Sequence, residues 1–312
     1  MVTLKDIEAA HERIRPHIHR TPVFTNNSLN ELSGAELYFK CDNFQKAGSF
    51  KIRGATNTVE QLTIEELNRG VATTSSGNHG AALSMAVTRR GGTTKVVMPN
   101  NTPEIKVNNV ERNGGEVVWC EPEQESRESV LKELIEKTGA VVVHPYNDER
   151  IMAGQGTCAK ELLEDHPELD VIVSPVSGGG LLSGTLLSSK ALKDDIQVFG
   201  AEPAEADDAY RSLKLGKIVP NETINTICDG LRAQIGGLTF PVISDLVDDI
   251  ITVTEEEIID SMRMIWERLK MIVEPSSSIT LGAVLKNKDK FNGKKVGLII
   301  SGGNVDLDHL PW

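Results

Sequence analysis

Four segments carry residue types that could do chemistry together. Lys51 lies in AGSFKIRGA, residues 47–55, between small residues and Phe50. A lysine with a lowered pKa attacks a carbonyl and forms a Schiff base. Taken alone, Lys51 reads as an ordinary surface lysine at a helix start. SSGNHGAA, residues 75–82, follows an apolar run and opens a helical pattern. Backbone N–H groups converge at such a turn and bind anions. Ser75, Ser76, Gly77, Asn78 and the amide of His79 suit a small carboxylate, and the Ser76 hydroxyl can move a proton. A plain serine cap with a glycine turn is the competing reading.

SPVSGGGLLSG, residues 174–184, repeats the arrangement with three consecutive glycines. Ser177, Gly178, Gly179 and Gly180 have little side chain to block a phosphate, and their amides with the helix dipole can hold a dianion. Neither GK[ST] nor GxGxxG is present, so this is not a nucleotide fingerprint of either common kind. LIISGGNVD, residues 298–306, ends an apolar run on Ser301, whose hydroxyl can bond a ligand nitrogen. A lysine nucleophile, a carboxylate nest, a phosphate nest and a polar strand end suggest an amino acid meeting a phosphorylated aldehyde.

The elements that must position these residues alternate. Thr3 with Asp6 marks a helix start, followed by Leu4, Ile7 and Ile14 at helical spacing. A short strand is expected at residues 37–40. From residue 71 the apolar runs VATTS, TKVVMP, EVVWCE and AVVVHP alternate with helical patterns that end in glycine. A second set contains DVIVSPV, QVFGAEP, DDIITVT and KKVGLIIS, with a long helix from Glu255 to about Lys270. This rhythm predicts an α/β fold with parallel-rich twisted sheets flanked by helices. Breaks near residues 60–71 and 145–153 divide it into two domains. A large cofactor-binding domain is expected over residues 1–68 and 148–312, and a small mobile substrate domain over 69–147.

Composition narrows the partners. The net charge of −12 argues against nucleic acid and against an anionic membrane surface. No apolar run is long enough to span a bilayer, and the charged N-terminus is not a signal peptide. Cys41, Cys120, Cys158 and Cys228 are widely scattered, which predicts buried, reduced thiols in a cytoplasmic protein.

The motifs GSFKIRGA, SSGNHG, AGQGT, SGGGLLSG and SGGNVD together resemble the fold-type II pyridoxal-phosphate enzymes, in their serine racemase and serine/threonine dehydratase branch. The resemblance runs from HERIRPHIHRTPV to SGGNVD. It implies that Lys51 forms the Schiff base with pyridoxal 5′-phosphate and that Phe50 packs on the ring. Asn78 bonds the phenolic oxygen, Ser177 to Leu181 wrap the phosphate, and Ser301 faces the ring nitrogen. A serine cannot keep that nitrogen protonated as a carboxylate can, so the ring is a weaker electron sink. Lys51 then removes the α-proton on one face. Reprotonation by Ser76 on the other face inverts the centre, and loss of the β-hydroxyl gives a keto acid and ammonia. Serine racemase with serine and threonine dehydratase activity is the implied function. A 3-hydroxyaspartate dehydratase, or a catabolic threonine dehydratase without racemase activity, is the alternative, and a non-catalytic cofactor-binding protein stands behind both.

The same resemblance assigns Glu202, the carbonyl of Ala206 and Asp208 to a site for Mg2+, or Ca2+ or Mn2+, where oxygen ligands are apt. An acidic helix start explains these residues equally well. Arg127 matches a substrate-side arginine that can grip a β-carboxylate in bidentate fashion. On its own it reads as a helix-surface arginine. A homodimer is implied by resemblance only. Ala81 replaces a glutamine tied to nucleotide binding, which puts ATP activation in doubt. Ala233 replaces a serine near the substrate, and Tyr146 is the dehydratase-like residue; both lean toward dehydration. The end of the chain at Trp312 leaves no room for a regulatory domain or for isoleucine feedback.

Overall fold

A computed structural model describes residues 2–75 and 77–312. Its strands are β1 (Val23–Phe24), β2 (Glu36–Cys41), β3 (Val71–Thr74), β4 (Thr94–Pro99), β5 (Gly115–Cys120), β6 (Val141–Val142), β7 (Val171–Pro175), β8 (Gln197–Pro203), β9 (Asp249–Val253) and β10 (Lys295–Ile300). They form a six-stranded sheet in the order β1-β2-β10-β7-β8-β9 and a four-stranded sheet in the order β5-β4-β3-β6. Every pairing is parallel except β1 with β2. The four apolar runs between residues 71 and 143 supply the smaller sheet, and the later set joins β1 and β2 in the larger one.

Side chains alternate across a strand, so a sheet covered on both faces needs apolar residues at consecutive positions. The larger sheet shows this directly. Val171, Val173, Val296, Leu298 and Ile300 enter one buried cluster, while Ile172 and Ile299 enter the cluster on the opposite face. Among the described residues no helix is long and apolar enough to cross a membrane. All four cysteines are buried and free.

Three helices meet at glycines. A Cβ on Gly154, in the helix Glu149–Asp165, would stand 2.5 Å from the Gly54 Cα in the helix Lys51–Glu60. A Cβ on Gly184, in the helix Gly180–Leu192, would stand 2.5 Å from the Gly156 nitrogen. The glycines of AGQGT therefore let the lysine-bearing helix and the triple-glycine helix pack on one central helix. That helix begins at Glu149, capped by Asp148, inside the stretch that reads as a break in the sequence. The other expected break likewise holds the helix Ile64–Arg69, opened by a Thr63–Glu66 capping box.

A fully buried ionic cluster anchors the lysine-bearing helix from below. Arg53 Nε donates to Asp42 Oδ2 at 2.6 Å, and its terminal nitrogens reach both Glu161 oxygens at 2.9 Å. Lys40 Nζ adds a bond to Glu161 at 2.7 Å. Two cations thus face two carboxylates, both carboxylates are multiply hydrogen-bonded, and none of the four side chains is more than 2% exposed.

Candidate active site

Lys51 is the first residue of its helix, and the loop before it is held in an unusual shape. Ala47 has φ 59° and Gly48 has φ 72°. A non-glycine residue in this region costs about 1–3 kcal/mol, so the surroundings must hold it there. Asn304 does so by donating its Nδ2 to the Ala47 carbonyl at 2.9 Å. Lys51 Nζ donates to the Pro145 carbonyl at 2.9 Å and lies 5.1 Å from the centre of the Phe50 ring. Burial lowers its pKa to about 8, against the opposing pull of the Glu274 carboxylate. An amine so placed is neutral in a far larger fraction near physiological pH than an ordinary lysine, as a nucleophile and base needs.

Asn78 opens the helix Asn78–Arg89 after β3. Its Oδ1 accepts from Asn304 Nδ2 at 2.8 Å, and its Nδ2 donates to both Glu274 oxygens, at 2.9 and 3.1 Å. The two hydrogens of Asn304 go to Ala47 and Asn78, so the Asn78 amide has one orientation, with its N–H groups facing the carboxylate. Glu274 is only 3% exposed. Burial first, and then the charge of Asp229, push its carboxyl up to about 8. The sequence reading did not single out Glu274. The available signal was one acidic residue between the apolar MIV and the small, buried residues PSSS.

The turn after β3 uses two of its amides internally. Gly77 N and Gly80 N donate to Ser75 Oγ at 3.3 and 3.0 Å. His79 is buried, its Nε2 lies 3.3 Å from the Val143 carbonyl, and burial with the nearby Lys51 charge lowers its pKa to about 3. Its side chain is therefore neutral. Ser76 lies outside the described residues.

The triple-glycine turn follows β7 and opens the helix Gly180–Leu192. Gly179 adopts φ 91°, where a side chain is strained, and a Cβ there would meet Thr239 Oγ1 at 2.6 Å. The Gly178 carbonyl accepts from Thr239 Oγ1 at 2.7 Å. Ser177 Oγ donates to the Ala233 carbonyl at 2.8 Å and accepts from its nitrogen at 2.9 Å, so the serine fixes the turn's approach. The N–H groups of Gly179, Gly180 and Leu181 make no hydrogen bond among the described residues. The Tyr146 ring lies against Gly178, where a Cβ would stand 2.4 Å from it. Pro145 on Lys51 and Tyr146 on Gly178 thus connect the lysine to the glycine turn through consecutive residues.

Ser301 directly follows β10 and is 3% exposed. Its carbonyl accepts from Phe50 N at 2.8 Å, and its hydroxyl lies 3.0 Å from Ser277 Oγ. Lys51, Phe50, Asn78, the triple-glycine turn and Ser301 are therefore joined, Phe50 to Ser301 directly, Asn78 through Asn304 and the glycine turn through Pro145 and Tyr146.

Arg127 is not joined to them. It lies on the helix Gln124–Thr138, where its charge acts on Cys120 at the end of β5. Its buried Nε has no hydrogen-bond partner among the described residues. The acidic set is a further separate group. Glu202 is fully buried and accepts from Ala209 N at 2.9 Å and Tyr210 N at 2.7 Å, and Asp208 accepts from Ile235 N at 2.7 Å. Burial raises both carboxyls, Asp208 to about 6, and the charge of Asp208 pushes Glu202 further up. Ala206 is buried between them in sequence. No group of three or more His, Cys, Asp or Glu side chains able to hold a metal occurs among the described residues.

A family model described as "Pyridoxal-phosphate dependent enzyme" matches residues 14–302. The β-hydroxyaspartate dehydratase of Paracoccus denitrificans is 50% identical over 310 residues, covering 99% of this chain and 98% of that protein. The serine racemase of Dictyostelium discoideum is 52% identical over 314 residues, covering 99% of this chain and 97% of that protein. The solved structure of maize serine racemase superimposes with a TM-score of 0.96 at 47% identity, covering 98% of this chain and 95% of that one.

Proposed function

The chain belongs to the pyridoxal-phosphate dependent enzyme family, and from that premise we propose that it racemises serine and eliminates water from serine and threonine at one site. The observation that carries this reading is a depressed-pKa Lys51 tied to an anion-ready glycine turn. The free amides of Gly179, Gly180 and Leu181, at a helix N-terminus, fit the cofactor's phosphate. When bound, the cofactor supplies an aldehyde for the lysine and an electron sink for the substrate's α-carbon.

The chain's own residues do the rest. Lys51 takes and returns protons at the α-carbon from one face. Ser76 serves the opposite face and decides whether the centre can invert. Asn78, whose carbonyl oxygen Asn304 holds, bonds the cofactor's phenolic oxygen by turning one of its two amide hydrogens away from Glu274. Ser301 bonds the ring nitrogen. In the turn at Ser75–His79, the N–H groups of Asn78 and His79, which make no hydrogen bond among the described residues, hold the substrate carboxylate. Glu202, Asp208 and the Ala206 carbonyl would hold a divalent cation, a reading supported by two buried carboxyls of raised pKa, the charge of Asp208 acting on Glu202. That ion would order the large sheet's margin and the Tyr146 side, since the Asp208 charge reaches Tyr146. A cytoplasmic homodimer belongs to the same proposal.

A second reading, β-hydroxyaspartate dehydration, has its own support. Arg127 presents a guanidinium whose Nε is unpartnered among the described residues, and the Paracoccus relative carries that activity in its name. The test is product analysis with purified protein, pyridoxal phosphate and Mg2+ on L-serine, L-threonine and 3-hydroxyaspartate. D-serine with pyruvate from L-serine supports the first reading. Oxaloacetate as the dominant product supports the second, and no turnover of any of the three refutes both.

A further inference from the structure

We propose that Ser277 is the positioning residue that strengthens Ser301 as a donor to the cofactor's ring nitrogen by donating to Ser301 in turn. The inference rests on the reading above that Ser301 faces that nitrogen. It concerns three consecutive serines, Ser276–Ser278, at the start of the helix Pro275–Lys286, all buried. Ser276 Oγ accepts from Gly230 N at 3.1 Å, and the one proton of Ser278 Oγ has the carbonyls of Ile258 and Pro275 as acceptors, at 3.1 and 3.0 Å. Only Ser277 turns to the end of β10.

A hydroxyl has one proton and two acceptor sites, so its bonds can be counted. Ser277 Oγ accepts from Gly302 N at 2.7 Å. Its single proton goes either to the Gly302 carbonyl at 2.7 Å or to Ser301 Oγ at 3.0 Å. The Gly302 carbonyl also accepts from Glu274 N at 3.1 Å. It therefore keeps a partner when the Ser277 proton turns away, and the turn leaves no buried acceptor empty. Ser301 Oγ has no other hydrogen-bond partner among the described residues. Once a ring nitrogen takes the Ser301 proton, Ser277 donates to Ser301. The chain Ser277 to Ser301 to nitrogen then runs one way, and each bond polarises the next. A ring nitrogen that accepts this bond stays unprotonated.

Without Ser277, Ser301 loses the bond that polarises its proton toward the nitrogen, so its bond to the ring weakens. The predicted effect is therefore on cofactor binding and on the cofactor's own titration, beyond any effect on turnover. The experiment titrates the apo-forms of wild type, Ser277→Ala, Ser277→Cys, Ser301→Ala, the Ser277→Ala/Ser301→Ala double variant and Ser278→Ala with pyridoxal phosphate. It follows visible absorbance across pH. Ser277→Ala and Ser301→Ala should each weaken binding about tenfold, as loss of roughly one hydrogen bond does, and shift the absorbance titration. The double variant should do no more than either single change, because the two act through one bond. Ser277→Cys, which keeps volume and a weak donor, should shift both in the same direction by less. Ser278→Ala should leave the titration unmoved. A Ser277→Ala protein within twofold of wild type in affinity, with an unmoved titration, overturns the proposal, as do additive effects in the double variant. A Ser301→Ala protein that matches wild type refutes the placement of Ser301, and a wild type that binds no cofactor refutes the functional reading beneath it.

Discussion

The backbone N–H of Phe50 donates to the carbonyl of Ser301 over 2.8 Å. Gly303 N returns a bond to the Gly48 carbonyl at 2.9 Å, so the lysine-bearing loop pairs with the end of β10 as a single antiparallel bridge. Lys51 follows Phe50 directly. The proton-handling amine and the residue assigned to the ring nitrogen are therefore fixed to each other by backbone, which resists displacement better than any side-chain contact.

The lowered pKa of Lys51 sets a pH dependence for cofactor capture. Only the neutral amine attacks an aldehyde, so attachment should be slow below the lysine's pKa and reach a plateau above it. The rate of visible absorbance gain after mixing apo-protein with pyridoxal phosphate should rise with a midpoint near 8. A midpoint at the ordinary lysine value of about 10.4 would contradict the burial argument.

Arg53→Met should cost about 3–5 kcal/mol, because it leaves Asp42 and Glu161 buried without their main cation. Burial pushes the Glu161 carboxyl up, but the charges and hydrogen bonds of Arg53 and Lys40 outweigh it and hold the group at about 2. A depressed carboxyl contributes stability that is complete above its unfolded value of about 4.3 and fades as pH falls toward the folded one. Denaturant midpoints across pH measure both effects. Wild type should lose stability between about pH 4.3 and the folded value, and Arg53→Met should lose much of that slope.

Mg2+ should raise the melting temperature of the wild type by about 3 °C or more at saturating concentration, since binding to the folded state alone stabilises it. Asp208→Asn should abolish the shift while leaving the protein folded. An equal shift in both proteins would place the ion elsewhere.

Arg127→Ala should separate the two substrate classes. Loss of a bidentate carboxylate contact should lower kcat/KM on 3-hydroxyaspartate by about a hundredfold and on serine by only a few-fold. Equal losses would show that Arg127 acts on the fold rather than on a β-carboxylate.

Much of this arrangement was legible in the chain, for physical reasons. Strands covered on both faces need runs of Val, Ile and Leu, and the runs at β4, β7 and β10 stand out for that reason. Asn78 and the triple-glycine turn sit at strand-to-helix junctions that the same pattern marks, and Lys51 opens a helix. The helix Glu149–Asp165 was hidden at its start because AGQG has low intrinsic helix propensity, and packing of Gly154 on Gly54 and of Gly156 on Gly184 overrides it. Strand β1 has two residues and no period to read. Glu274 was missed because a glutamate before proline reads as a simple helix cap, and only tertiary burial beside Asn78 makes it part of the site. Nothing in one sequence shows that Asn304 reaches back to Ala47, more than two hundred residues away.

The most direct test of the central claim is α-hydrogen exchange on L-serine in D2O, with wild type and Lys51→Ala compared by mass spectrometry and chiral separation. The account predicts D-serine carrying deuterium at the α-carbon, together with pyruvate, from the wild type. It predicts neither product, and no exchange into recovered L-serine, from Lys51→Ala. Exchange that persists without Lys51 would contradict it.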